Sequence, residues 1–250
     1  MSKIVFAHRG MSVLAPENTL AAFSLCKKNG IKWFECDIDI LGDKTLVISH
    51  DDTIDRCTDK TGSLYDLKKE DLQMIDAGNW FSDEYEGERI PTLDQLIELI
   101  NEYELNVNFE LKSCCGGKEL TDSLITQFTE SLKKLDKERE VIVSSFNPLV
   151  LSKFKDMSPE TPVCCLFETH TLYDDWTSIM ESCRAEYIHP QNEGLTKQMV
   201  ENFKKHGYKI NVWTVNDLDR ANQLFNWGVD GVFTDISHQF PGRYKTKKEE

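Results

Sequence analysis

Two histidines in this sequence stand at the ends of short apolar runs. His8 directly follows residues 4–7, and His50 follows residues 46–48 with one serine between. Arg9 is the next residue after His8. Because an imidazole can bind or release a proton near neutral pH and a guanidinium keeps its positive charge, this combination predicts proton transfer beside a bound anion.

Acidic side chains alternate with apolar ones on two further apolar segments. One segment carries Glu35, Asp37 and Asp39 at every second position, and another carries Glu110 and Lys112 in the same way. Side chains two residues apart on a strand share a face, so each segment predicts a strand with one polar face. A buried carboxylate without a partner is very costly, and such a face must therefore meet water, a cation or a metal ion.

Two interpretations of this polar face are open. It is either the solvated face of an antiparallel edge strand or the mouth of a barrel, where catalytic groups of that architecture lie. In a barrel, Glu35, Asp37 and Glu110 would converge as three oxygen ligands, which suit Mg²⁺ or Ca²⁺ better than Zn²⁺. Asp39 is interpreted as a turn residue or as a residue behind the ligands.

Fixed positive charges and aromatic rings complete the candidate site. Arg9 and Lys112, together with a metal ion, would form an anion site that fits a phosphate. Phe146 and Trp213 end late apolar segments, and packing in the core is the usual role of such rings. At a barrel mouth they would instead hold the organic part of a substrate. His189 also ends an apolar segment and is either a structural histidine or a residue of the pocket.

The elements that must position these residues alternate between short apolar strands and helical stretches. Eight strands alternating with helices favour the α/β class and a closed (β/α)8 TIM barrel, with an open doubly wound sheet as the rival. No G-x-G-x-x-G follows the first strand, which weakens the dinucleotide-binding version of the rival. The predicted strands cover residues 4–7, 33–40, 106–111, 141–144, 163–167, 185–188, 209–213 and 231–233.

Helix signals and one long connection define the rest of the organisation. Residues 92–95 form a capping box before an apolar stripe, and a first helix is predicted over residues 18–29. Residues 51–89 are polar and turn-rich, with a short helical piece near residues 67–75. A connection of this length predicts a small insertion after the second strand region of a single domain that covers residues 1–250.

Charge and composition limit the classes of partner. The net charge of −14 argues against a nucleic-acid partner, which would require a basic face. The N-terminus lacks the layout of a signal peptide, and no apolar run approaches the length of a membrane span. Eight cysteines without C-x-x-C spacing fit reduced thiols. We therefore expect a cytoplasmic protein without membrane insertion.

A set of short motifs follows the chain in a fixed order. They are His8-Arg9-Gly10, Pro16-Glu17-Asn18-Thr19, Glu35-x-Asp37, His50-Asp51, Asp55-Arg56-Cys57-Thr58, Ile90-Pro91-Thr92-Leu93, Glu110-Leu111-Lys112, Ser145-Phe146, Trp213-Thr214-Val215-Asn216 and Gly231-Val232-Phe233-Thr234-Asp235. In this order they resemble the glycerophosphodiester phosphodiesterase family. Each motif alone is weak, but the ordered set is specific and covers nearly the whole chain.

The resemblance implies a function as well as a fold. It implies metal-dependent hydrolysis of a small-molecule glycerophosphodiester to sn-glycerol 3-phosphate and an alcohol, a reaction of glycerol and lipid metabolism. The implied site consists of the acid–base pair His8 and His50, the phosphate-binding Arg9 and Lys112, and the Mg²⁺ or Ca²⁺ ligands Glu35, Asp37 and Glu110.

Several features stay open at this stage. We favour His8 as base and His50 as acid, with water or the neighbouring glycerol hydroxyl as nucleophile. One alternative is a phosphodiesterase of the lysophospholipase D type, which would need an apolar groove at the barrel mouth. Another is a non-catalytic phosphate-binding module, against which the intact histidines and carboxylates argue. Barrels often pair, so a homodimer is a further expectation, although no segment marks an interface.

Overall fold

The computed structural model describes residues 3–112 and 115–244, and its strands form one sheet. Eight parallel strands close into a barrel because the first strand pairs with both the second and the last. A short strand, the third along the chain, pairs antiparallel with the second and lies outside the parallel ring. The strands are β1 (Ile4–Ala7), β2 (Trp33–Ile40), β3 (Leu46–Ile48), β4 (Asn106–Leu111), β5 (Val141–Ser145), β6 (Val163–Phe167), β7 (Tyr187–Pro190), β8 (Lys209–Val212) and β9 (Gly231–Thr234).

Helices connect the parallel strands and cover the outside of the ring. They are α1 (Leu20–Lys28), α2 (Leu93–Tyr103), α3 (Lys118–Leu132), α4 (Pro148–Met157), α5 (Trp176–Ser182), α6 (Lys197–Lys205) and α7 (Leu218–Trp227). The predicted capping box before α2 is present, since Thr92 accepts from the Gln95 backbone and Gln95 accepts from that of Thr92. Across the two described ranges of the chain, no helix combines the length and the apolar character that a bilayer crossing requires.

The predicted barrel is confirmed, and one strand prediction is shifted along the chain. The strand predicted at 185–188 begins at Tyr187 instead. Arg184 adopts a left-handed backbone with φ 55°, and the Ala185 N–H donates to Met180 O at 3.0 Å. Ala185 is therefore bonded back to α5 through the turn that follows the helix, and the register of paired residues with β6 begins only at Tyr187.

The segment between β3 and α2 contains the region predicted as an insertion. Its helical piece, predicted near residues 67–75, is a 3-10 helix over Lys69–Met74. The segment contributes most of a small hydrophobic cluster that is separate from the main core. This cluster contains Leu41, Val47, Ile54, Leu64, Leu72, Ile75, Ala77 and Ile90.

Large side chains from several strands pack together in the interior of the barrel. The rings of Phe6 and Phe233 stack with centroids 4.4 Å apart, and Trp33 meets Phe6 edge-on at 5.2 Å. Gly231 leaves room for this layer. A Cβ at that position would lie 2.5 Å from Asn211 Oδ1 and 2.8 Å from Phe6 Cε2.

Replacing Gly231 with alanine is expected to lower the free energy of unfolding by about 1–3 kcal/mol, because the added methyl group overpacks the barrel interior. Urea unfolding followed by circular dichroism measures the effect. Gly242→Ala is the matched control, since nothing lies within 4 Å of a Cβ there. Equal midpoints for the two variants would contradict the tight packing at Gly231.

Candidate active site

The residues of the predicted site meet at the carboxyl-terminal ends of the parallel strands. A cavity of about 200 Å³ opens there. Asp37 and Lys112 do not line this cavity but contact residues that do. From the predicted set, the cavity is lined by His8, Arg9, Glu35, His50, Glu110, Phe146 and Trp213.

Three buried carboxylates form a compact cluster at this cavity. One oxygen atom of each of Glu35, Asp37 and Glu110 lies within 4.8 Å of the other two. Strand register explains the convergence, because Asp37 on β2 is paired with Glu110 on β4. Glu35 precedes Asp37 by two residues and therefore shares its face.

The charges of the cluster are only partly neutralised by the protein. Burial first, and then the charges of Asp37 and Glu110, raise the pKa of Glu35 to about 8. Burial would also raise the pKa of Asp37, but Lys112 and Arg9 hold it well below its ordinary value. This excess of negative charge and the oxygen-only donor set fit a divalent ion such as Mg²⁺ or Ca²⁺.

Arg9 contacts the cluster through both its backbone and its side chain. The residue has a left-handed backbone with φ 54°, and its N–H donates to Glu35 Oε2 at 2.8 Å. Its Nη1 donates to Glu17 Oε1 at 2.7 Å, while Nε lies 3.6 Å from Asp37 Oδ2. Lys112 Nζ donates to Asp37 Oδ1 at 3.3 Å. Two fixed cations therefore border the carboxylates.

Asn18 has a different role from the one predicted. It was expected to begin the first helix, but its backbone is left-handed with φ 57° and Thr19 caps α1. Its Nδ2 donates to Asp37 Oδ2 at 2.8 Å, and its Oδ1 accepts from the Asp37 N–H at 3.3 Å. Asn18 therefore fixes the orientation of Asp37, a role that helix patterns do not reveal.

His8 is oriented by a residue from the far end of the chain. Its Nδ1 lies 2.8 Å from Oδ1 of Asp235, which follows β9 directly. The other oxygen of Asp235 accepts from Asn216 Nδ2 at 2.6 Å. Burial lowers the pKa of His8, but the hydrogen bond to Asp235 and the charge of Glu35 outweigh it, so that the pKa is raised above 6.5. Asp235 belongs to the last of the sequence motifs, and the motif alone does not reveal this role.

Replacing Asp235 with asparagine is expected to lower the free energy of unfolding by about 1–3 kcal/mol at pH values where His8 is charged. The raised pKa of His8 makes the contribution of the pair complete below about pH 6.5. That contribution is lost as the pH rises through the folded-state pKa. Urea unfolding near pH 6 should therefore show a larger loss than unfolding near pH 9.

The exposed Asp219 offers a matched control, since Asp219→Asn makes the same change on α7. We expect this variant to unfold like the wild type at both pH values. A loss in Asp235→Asn that is as large near pH 9 as near pH 6 would contradict the ion pair.

His50 is oriented in the same way by its neighbour. His50 Nδ1 lies 2.6 Å from Asp51 Oδ1, and Asp51 Oδ2 accepts from Arg56 Nε at 2.7 Å. The terminal nitrogens of Arg56 donate to both oxygens of Glu17, at 2.9 and 2.7 Å. Because Glu17 also accepts from Arg9, a continuous chain of hydrogen bonds joins His50 to the anion site. Both histidines thus bind a carboxylate through Nδ1 and leave Nε2 for a substrate.

The aromatic pair predicted at the mouth is present there. The rings of Phe146 and Trp213 meet edge-on with centroids 5.4 Å apart. Trp213 Nε1 donates to the backbone oxygen of His189 at 2.8 Å. Burial lowers the pKa of His189 to about 3, which makes it a neutral structural residue. Asp39 is buried and accepts from Tyr65 Oη at 3.0 Å.

Sequence analysis missed several residues that also line the cavity. Asn108 Nδ2 donates to Ser144 Oγ at 2.8 Å, while its buried Oδ1 has no hydrogen-bond partner within the described residues. Both residues lie on the inner face of their strands. The cavity is completed by Asn108, Ser144, Leu166, Glu168 and Phe233.

Comparison with known proteins assigns this arrangement to a family. The sequence model of the glycerophosphoryl diester phosphodiesterase family matches residues 8–238. The chain belongs to this family. The match includes every residue of the predicted site, and the family and enzyme class predicted from the motifs are confirmed.

Individual members of the glycerophosphoryl diester phosphodiesterase family are similar along nearly their whole length. A glycerophosphodiester phosphodiesterase of Caldanaerobacter subterraneus is 35% identical over 94% of this chain and 95% of its own. One from Bacillus subtilis is 28% identical over 98% of this chain and 86% of its own. A solved structure of an Oleispira antarctica phosphodiesterase in complex with the product sn-glycerol-3-phosphate is 35% identical, with a TM-score of 0.91 and 98% of both chains covered.

Proposed function

We propose that this protein hydrolyses glycerophosphodiesters to sn-glycerol 3-phosphate and an alcohol. The observation that carries the proposal is that one cavity is lined by both histidines, by Arg9 and by two of the three clustered carboxylates. The similar Oleispira antarctica phosphodiesterase, whose structure contains sn-glycerol-3-phosphate, supports the choice of product. In this proposal Arg9 and Lys112 bind the phosphate oxygens, and Phe146 and Trp213 flank the organic groups.

We further propose that Glu35, Asp37 and Glu110 bind a divalent metal ion, Mg²⁺ or Ca²⁺. When bound, such an ion stabilises the negative charge that develops on the phosphoryl oxygens. Arg9 and Lys112 add fixed positive charge beside the same oxygens. Asn18 supports the ligand set by holding the Asp37 carboxylate in place through two hydrogen bonds.

The two histidines transfer the protons of the reaction. His8 Nε2 removes a proton from the nucleophile, which is water or the neighbouring glycerol hydroxyl. The nucleophile forms a new bond to phosphorus, the bond from phosphorus to the alcohol oxygen breaks, and His50 Nε2 donates a proton to that oxygen. If the glycerol hydroxyl is the nucleophile, this step gives a cyclic phosphate. Water then opens it to glycerol 3-phosphate, as His50 removes a proton from the water and His8 returns its proton to the glycerol oxygen. Asp235 and Asp51 keep the Nδ1 proton of each ring in place, which leaves Nε2 as the reacting atom.

The proposed function is tested by product analysis. The purified protein is incubated with glycerophosphocholine and Mg²⁺ or Ca²⁺, and glycerol 3-phosphate and choline are measured together. We expect equal amounts of the two products. Release of phosphocholine and glycerol would contradict the proposed bond cleavage, and a folded, metal-supplemented protein that releases neither pair would contradict the function.

Three further properties are proposed for this protein. We propose that residues 1–250 form a single catalytic domain that includes residues 51–89 as its insertion. A cytoplasmic location and a homodimer are predicted from the sequence, and fractionation of the native cell and analytical ultracentrifugation would test them.

A further inference from the structure

The catalytic cavity borders a second and larger groove on one side of the barrel mouth. This groove, called here the β6 groove, has a volume of about 550 Å³. It shares Phe146, Leu166 and Glu168 with the catalytic cavity and continues along Pro148, Thr171 and Tyr173. A substrate whose phosphate binds at Arg9 could therefore extend a second group past Glu168.

Glu168 is the acidic residue of this shared wall. It follows β6 directly, and its backbone oxygen accepts from the Thr171 N–H and from Thr171 Oγ1, each at 3.0 Å. Its side chain is 45% exposed, and Oε2 lies 3.3 Å from Nε2 of the exposed His170. No lysine or arginine of the described residues forms an ion pair with it. The carboxylate is thus held at the rim without a permanent cation.

Aromatic rings stand beside this carboxylate in the cavity wall. Phe146 lines both the catalytic cavity and the β6 groove, and 42% of its surface is exposed. Trp213 contacts it edge-on. The hydrogen bond from Trp213 Nε1 to His189 O fixes the indole. Aromatic faces attract cations through their negative π-surface, and a carboxylate adds a direct charge. Together they form the kind of surface that recognises an ammonium group.

With a divalent ion bound at the carboxylate cluster, the two ends of the site would carry charges of opposite sign. Arg9 and Lys112 are positive beside the phosphate position, and Glu168 is negative at the entrance to the β6 groove. A diester with an anionic phosphate and a cationic alcohol matches this pattern. An acyl chain matches it less well, because hydrocarbon packed over Glu168 would remove the carboxylate from water without a partner.

We propose that Glu168, with Phe146 and Trp213, forms a subsite for a cationic alcohol group, so that this protein prefers glycerophosphodiesters whose alcohol bears an ammonium group. The inference rests on the proposed function and specifies its substrate class. Glu168 acts as a specificity-determining residue that contacts the leaving alcohol rather than the phosphate.

The test compares a cationic substrate with a neutral one. We would measure kcat/KM for glycerophosphocholine and for glycerophosphoglycerol, whose alcohol is uncharged, in the wild type and in Glu168→Gln. We expect the variant to lose about tenfold on glycerophosphocholine, which corresponds to about 1.4 kcal/mol. On glycerophosphoglycerol we expect a clearly smaller loss, because its uncharged alcohol forms no ion pair with Glu168, and circular dichroism checks that the variant is folded.

Glu160→Gln is the matched control. Glu160 is exposed and lies before β6, at the opposite end of the strand that Glu168 follows. We expect this variant to keep the wild-type ratio between the two substrates, because a general change in net charge cannot reproduce a local subsite.

Other outcomes would overturn the inference. An equal loss of kcat/KM on both substrates in Glu168→Gln would assign Glu168 a structural role. An unchanged kcat/KM on glycerophosphocholine would show that Glu168 does not contact the cationic alcohol. Faster hydrolysis of lysophosphatidylcholine than of glycerophosphocholine would assign the β6 groove to an acyl chain. Failure of the wild type to hydrolyse any of these diesters would overturn the proposed function itself, a result that differs from a change in preference.

Discussion

Replacing His8 or His50 with alanine is expected to lower kcat by about 10²- to 10⁴-fold, the range typical for the loss of a positioned general acid or base. At about 1.4 kcal/mol for each factor of ten, this corresponds to about 3–5.5 kcal/mol of transition-state stabilisation. KM should change little, because Arg9 and Lys112 remain to bind the phosphate. Steady-state kinetics over glycerophosphocholine concentrations from below KM to saturation measure both parameters.

The double variant His8→Ala/His50→Ala makes this prediction sharper. Because the two imidazoles act in one proton-transfer sequence, we expect the double variant to lose less than the product of the two single losses. His206→Ala is the control, since His206 is an exposed residue at the end of α6. If either active-site variant had the kcat of the wild type, the histidine replaced in it would not act as the general acid or base.

Removal of the divalent ion should have an effect of similar size. An ion at the carboxylate cluster is expected to contribute several kcal/mol of charge stabilisation, so chelation should lower the rate by about 10³-fold or more. Restored Mg²⁺ or Ca²⁺ should return the activity. At an ion concentration of about 100 times Kd, binding adds about 2.7 kcal/mol to stability, which raises Tm by about 5–10 °C.

Glu110→Gln separates metal binding from simple loss of activity. The substitution removes one ligand charge at nearly constant volume, so we expect most of the metal-induced rise in Tm to disappear together with the activity. Glu98→Gln on the exposed face of α2 should retain both. Full activity of metal-free wild-type protein would contradict the proposed role of the cluster.

Local patterns account for most of what could be predicted from the sequence. Alternation along β2 and β4 placed Glu35, Asp37 and Glu110 on polar faces, and parallel pairing then brought them together. The predicted first and last residues agree with the structure for four strands, β1, β2, β4 and β6, because their β-branched and apolar runs end at polar or turn residues. Such features depend on neighbours in the sequence, which periodicity reports well.

What could not be predicted depends on contacts between distant segments. The partner of His8 lies 227 residues away, and that of Asp37 is Asn18, in a turn that resembles a helix start. Arg56 contacts Glu17 across 39 residues. No local pattern specifies these partners, although Asp235 could have been suspected because it follows a strand, as His8 and Glu168 do. Glu168 itself follows an apolar run and was overlooked because no other motif residue is near it.

The closure of the barrel between β1 and β9 has a consequence for the synthesis of the protein. His8 is translated 227 residues before Asp235, and β1 is likewise translated long before β9, the strand that closes the ring. A nascent chain on the ribosome therefore carries His8 without its partner and leaves the β1 edge unpaired until residues 231–235 have emerged from the exit tunnel. Catalytic competence should thus appear only once residues 231–235 are in place, and a chain released before that point should be both inactive and prone to pair its open edge with another chain.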